Sequence, residues 1–174
     1  AGQPTMSLFA VAQLLVVLAI CLNILAFQCR QRRTIILLLL ISCSLVAVHF
    51  LLLGYATAAG LLLLSMARLA VGLWTVSKKM MGLFALAALT LTALTFTGWL
   101  SLLSCTAVLL STVASFSEDD RRMRLAFMCA ACLWIVHNGI IGSPVAMAND
   151  ALFLGSNLIG YYRFHIRPKR HLLS

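Results

Sequence analysis

Long apolar runs alternate with short basic clusters along the chain, and their spacing predicts its elements. The runs are Leu8 to Phe27, Thr34 to Ser77, Met80 to Ser117 and Leu125 to Ile166. A helix that spans a bilayer needs about 20 apolar residues at ~1.5 Å per residue. The first run is therefore one helix. Each of the other three is about twice that length and must fold back once. The turns are expected at Gly54-Tyr55, Gly98-Trp99 and Gly142-Ser143-Pro144, where glycine suits a tight reversal and Pro144 suits the first turn of a helix. The expectation is an all-α polytopic membrane protein with seven transmembrane helices.

Composition agrees. Of 174 residues, 63% are hydrophobic and 10% charged, against roughly 45–50% and about 25% in soluble domains, which excludes an ordinary soluble globule. The net charge of +9 would suggest nucleic acid if it formed a face. Instead the cations fall in four clusters: Arg30, Arg32, Arg33; Lys78, Lys79; Arg121, Arg122, Arg124; and Arg163, Arg167, Lys169, Arg170. Two crossings per long run put all four clusters on one side, and the positive-inside rule makes that side cytoplasmic. The partner is then a bilayer, with no nucleic acid; the N-terminus is outside and the C-terminus inside. Tyr55 and Trp99 fall at the outer interface, and Trp74, Tyr161 and Tyr162 at the inner one. The first helix is too long for a signal-peptide core and ends in basic residues, so it reads as a span.

A shift of 88 residues superimposes the first three helices on the last three: Val48-His49 falls on Val136-His137 and Gly54 on Gly142. This predicts two parallel three-helix repeats joined by one extra helix, a 3+1+3 plan that transporters use with a site between the repeats. The divisions are an N-terminal tail 1–7, with 1–5 before Met6 an expression remnant; a first repeat 8–77; a linker helix 78–99; a second repeat 100–166; and a cytoplasmic tail 167–174. Beyond Gly142 the register is open, since four inserted residues would bring Ser65 over Asn157.

Two charges stand outside the clusters and inside apolar sequence, Arg68 and Asp150. An ionised side chain there costs several kcal/mol unless paired or hydrated, which makes each a candidate functional group. Ser65 and Gly72 share the Arg68 stripe, and Asn157 shares the Asp150 stripe. Substrate binding is therefore assigned to Arg68, Asp150, Asn157 and Ser65. His49 and His137 lie about five residues below the outer turns and, with Asn138, are candidates for a gate or proton coupling. The competing reading makes all of these groups structural glue between helices. Two histidines without further ligands at metal spacing give no metal site, and nothing implies a cofactor. Cys129-Ala-Ala-Cys132 has redox spacing but lies in an apolar run. Phosphate loops, nucleophile elbows and zinc-protease motifs are missing, so no enzyme is expected.

The segments Val48-His49-Phe50-Leu51-Leu52-Leu53-Gly54, Ala67-Arg68-Leu69 and Cys132-Leu133-Trp134-Ile135-Val136-His137-Asn138, continuing through Asp150, Asn157 and Arg163-Phe164, resemble bacterial inner-membrane proteins of the YgjV type. More distantly, the 3+1+3 plan resembles SWEET sugar transporters, nicotinamide riboside-type vitamin-precursor transporters and PQ-loop proteins. Those resemblances imply a polar substrate group on the third helix of each repeat, here Ser65 or Arg68 and Asn157. The only prolines are Pro4, Pro144 and Pro168, so the Pro-Gln motif and helix hinges of SWEET-like transporters are missing.

Two functions follow. One is a transporter or facilitator of a small polar solute, anions included, through a cavity between the repeats. The other is a non-transporting receptor or assembly protein whose intramembrane polar residues are structural. A continuous water-accessible pocket between the repeats favours the first; Arg68 paired directly with Asp150 in a dry interior favours the second. An oligomer is compatible with either.

Overall fold

Seven helices appear among the described residues of the computed structural model, which are 6–52, 56–94, 96, 98–140, 142 and 144–167. They are α1 (Met6–Gln28), α2 (Arg32–Leu52), α3 (Ala56–Trp74), α4 (Lys78–Leu94), α5 (Trp99–Ser115), α6 (Asp120–Ile140) and α7 (Pro144–Tyr161), which continues as a π-helical segment Tyr162–Ile166. No strand occurs among the described residues. At ~1.5 Å per residue the helices are roughly 26 to 35 Å long. By length and composition, Arg32–His49 and Asp120–Ile140 are apolar enough to cross a bilayer, whereas Gln13–Gln28, Leu62–Trp74 and Trp99–Ser115 are shorter apolar stretches. Of the remaining two helices, α4 opens on Lys78 and Lys79, and α7 carries Asn149, Asp150, Ser156 and Asn157.

The predicted turns follow local chemistry. Gly98 precedes α5 at φ 132° and Gly142 precedes α7 at φ 71°, both left-handed conformations that favour glycine. Pro144 opens α7, where its missing N–H costs nothing. The turn expected at Gly54-Tyr55, the tail 1–5 and residues 168–174 lie outside the described residues.

Packing places α2 between α1 and α3, and α6 between α5 and α7. The two trios meet where α1 packs on α7 and α3 on α5, while α4 lies against α5 and stacks Phe84 on Phe116. The outward faces are rich in Leu, Val and Ile, including Leu14, Leu86, Leu94 and Ile159. Buried positions instead include many small or polar residues, among them Ser42, Thr112, Ser115, Ser156 and Asn157. An apolar exterior over such an interior suits a lipid solvent, in which small residues let helices approach and polar ones bond across.

One end of the bundle is tied by two arginines. Arg32, at the start of α2, donates to the carbonyl oxygens of Gly72 (2.7 Å), Ser115 (2.6 Å) and Ser117. Arg124, in the first turns of α6, is fully buried. It donates to the carbonyls of Phe27 (2.8 Å) and Cys29 and pairs with Asp120 at 2.9 Å. These carbonyls sit at the C-terminal ends of α1, α3 and α5, where the last turn leaves acceptors without intrahelical partners. Two glycines bring the backbones together at the same level. A Cβ on Gly72 would stand 2.6 Å from the Ser115 carbonyl oxygen, and one on Gly160 would overlap the Phe27 carbonyl oxygen. The apolar core, including Phe27, Ile35, Ile36, Leu69, Met123 and Phe127, fills this end.

Candidate functional site

Beside that core lies a cavity of about 280 Å³, walled by α1, α2, α3, α5, α6 and α7. Its volume is at the small end for ligand pockets. Phe127 and Phe153 border it and stack edge-to-face at 6.0 Å, each also against Phe27. Polar groups reach it from several helices. They include Asn23 on α1, Ser42 on α2, Ser65 and Arg68 on α3, and Asn149 and Asp150 on α7. A second cavity of about 350 Å³ lies where α4 covers the α3–α5 seam, and Ser65, Arg68 and Trp134 border both.

Arg68 is poorly satisfied. Nη1 reaches the Val108 carbonyl at 3.5 Å and Thr112 Oγ1 at 3.4 Å, both long for hydrogen bonds. Nε is buried without an acceptor. Among the described residues no carboxylate lies within ion-pair distance of it. Asp150 accepts a hydrogen bond from Asn138 Nδ2 at 2.7 Å. Asn138 Oδ1 in turn lies 3.4 Å from His137 Nδ1, and the His137 ring packs edge-on against Trp134 at 5.3 Å. Arg68 and Asp150 therefore border one cavity without pairing.

The other expected residues divide. Ser65 lines the cavity, one helical turn from Arg68. Asn157 does not: it is fully buried and donates to the Arg124 carbonyl at 2.9 Å, with Oδ1 unpartnered. The stripe argument that joined it to Asp150 holds as helix geometry, but that stripe runs from the cavity into the core. His49 is buried on α2, and neither histidine borders the cavity. Sequence reasoning missed Asn23, Ser42 and Asn149, which carry no charge to mark them, and Arg32 and Arg124, which sit inside basic clusters. A usable signal for Asn23 was its spacing of 88 from Ser111, since both border the cavity. Leu39 and Phe127, Ser42 and Ala130, and Leu62 and Asp150 keep the same spacing.

The model of the bacterial inner membrane protein family Imp-YgjV matches residues 10–167. The chain belongs to this family. It is 28% identical over 165 residues to the inner membrane protein YgjV of Escherichia coli K12, covering 93% of this chain and 90% of the relative. No solved structure matches it. Membership of Imp-YgjV puts the chain in the bacterial inner membrane.

Proposed function

We propose that the chain is a multi-pass transporter or facilitator of a small polar solute, and that the solute occupies the cavity ringed by six of the helices. The observation that carries this reading is that Arg68 and Asp150 border that cavity without pairing. As intramembrane glue the two charges would be expected to satisfy each other, because an uncompensated charge is costly there. Asn157, fully packed against Arg124, is assigned to structure and withdrawn from the route.

In this reading the arginine-tied end faces the cytoplasm, with the N-terminus outside and the C-terminus inside. The apolar core at that end then closes the cavity from the cytoplasm. Two parallel repeats with α4 as linker are supported by the spacing of 88 between facing cavity residues. Further support comes from the clasped end. Gly72 approaches Ser115 as Gly160 approaches Phe27, and both pairs are related by 88. The ungapped spacing thus continues past Gly142, which matches Asn157 with Leu69 and makes a four-residue insertion unnecessary.

Cys43 borders the cavity and supplies the test. With the other five cysteines replaced by alanine, a small hydrophilic methanethiosulfonate should label Cys43 in membranes. Purified protein in liposomes should pass small polar solutes in a flux assay. A Cys43 inert to that reagent, together with liposomes no leakier than empty ones, rejects the proposal.

A further inference from the structure

The two charges bordering the cavity come with distinct neutral companions. On α3, Arg68 has Ser65 one turn away; on α7, Asp150 has Asn149 beside it. The side chains of Asn23, Ser65 and Asn149, all partly exposed, bond no described residue, and the buried Arg68 Nε has no acceptor. Asp150 accepts from Asn138 through one oxygen only, Oδ2. A buried guanidinium is ordinarily satisfied, so the groups on the cavity wall outline the hydrogen-bonding complement of a ligand. That complement has two ends: anionic where it meets the guanidinium and hydroxyl, cationic where it meets the carboxylate and amide.

Resting on the transport reading above, we infer that the solute is a small zwitterion, its carboxylate on Arg68 and Ser65 and its ammonium on Asp150 and Asn149. A simple anion would satisfy Arg68 but face Asp150 across a cavity of about 280 Å³, where the low dielectric magnifies repulsion. A simple cation has the converse problem with Arg68. A zwitterion meets both charges and enters without net charge. Its charges should be several ångströms apart. Position 156, the match of Arg68 at a spacing of 88, lies six residues from Asp150, which is ~9 Å of helix rise, and the long arginine side chain can take up part of that distance. Trp134 also borders the cavity, so its aromatic surface is available to a methylated ammonium as well as a primary one.

The test is a matched panel on the purified wild-type protein in detergent, read by thermal shift and calorimetry. The zwitterions are glycine, β-alanine, 4-aminobutyrate and the trimethylated form of each; the single-charge controls are butyrate and butylamine. At least one zwitterion should bind at least tenfold more tightly than both controls. Comparison of the primary with the trimethylated series tells an amino acid from a betaine. The Arg68→Met and Asp150→Asn proteins should each lose that preference, while Ser65→Ala and Asn149→Ala weaken it with the fold intact. Butyrate binding equal to that of 4-aminobutyrate and indifferent to Asp150→Asn overturns the inference and leaves transport of an anion standing. No zwitterion binding at tens of millimolar overturns it too. In either case Cys43 labelling and flux judge the transport proposal separately.

Discussion

Alanine at Gly160 is the sharpest probe of the packing that closes one end of the bundle. A Cβ there would overlap the Phe27 carbonyl oxygen of α1 and the Arg124 guanidinium, neither of which is free to move. Arg124 is fully buried and already committed to two carbonyls and Asp120. Overpacking of this kind costs about 1–3 kcal/mol. Displacing Arg124 from its carbonyls adds at least ~1–3 kcal/mol for buried groups left unpaired. The total is about 2–6 kcal/mol. Gly72→Ala is milder, because its Cβ would stand 2.6 Å from the Ser115 carbonyl oxygen. It requires a shift of under an ångström, and should cost about 1–3 kcal/mol. Gly82 on α4 has no atom within 4 Å of the added Cβ, so its alanine variant should be neutral or gain up to ~1 kcal/mol from helix propensity. At ~2–4 °C per kcal/mol for a chain of this size, thermal unfolding in detergent should rank Gly82→Ala at or above wild type, then Gly72→Ala, with Gly160→Ala roughly 10 °C lower. A Gly160→Ala protein that melts with Gly82→Ala would refute the close approach of α7 to α1.

Arg124→Met leaves Asp120 without its arginine and should cost about 3–5 kcal/mol; the Arg124→Met/Asp120→Asn double variant should recover part of it, and thermal melts showing no recovery would dismiss the pair. Asn138→Leu removes the donor to Asp150 and should cost ~1–3 kcal/mol. A double-mutant cycle with Asp150→Asn should show a coupling of about 1 kcal/mol, and zero coupling would mean the two side chains do not meet. Phe84→Ala on α4 should cost less than Phe27→Ala, because Phe27 is fully buried among aromatic rings whereas Phe84 is partly exposed, its ring stacked on Phe116; equal losses of thermal stability would contradict a peripheral α4.

The helices were legible because lipid imposes a length on each apolar run, and the turns because Gly98, Gly142 and Pro144 have few conformational roles open to them. Arg68, Asp150 and Ser65 were legible because a polar group in an apolar run has few places to go. Arg32 and Arg124 were hidden for the opposite reason. Within a basic cluster every arginine looks like a charge held in solvent, and only three-dimensional packing turns two of them inward onto helix carbonyls. Asn157 lies off the cavity although it shares the Asp150 stripe, because helical periodicity reports a face but not a depth. The face that meets the cavity at Asp150 meets the core two turns later.

If the chain is a duplication, its departures from twofold symmetry explain the site. Two equal halves facing one cavity would offer two arginines or two aspartates, and like charges across a space of about 280 Å³ would repel. At a spacing of 88 neither charge is repeated: Leu62 matches Asp150, and Arg68 matches Ser156, whose hydroxyl bonds the Ile24 carbonyl. On that reading the clasp keeps two of its three carbonyl contacts. The residue 88 beyond Arg32 is Asp120, not an arginine, and the cation appears one helical turn later as Arg124. A four-residue step keeps the same helix face, so Arg124 still reaches Phe27 and Cys29, the matches of Ser115 and Ser117 bonded by Arg32. The same step leaves Asp120 one turn behind Arg124 and paired with it. Arg124 can therefore be fully buried while Arg32, with no carboxylate in ion-pair range among the described residues, stays partly exposed. The two closely packed glycines, Gly72 and Gly160, and the carbonyl acceptors, Phe27 with Ser115 and Cys29 with Ser117, keep the spacing of 88, whereas the cavity charges do not.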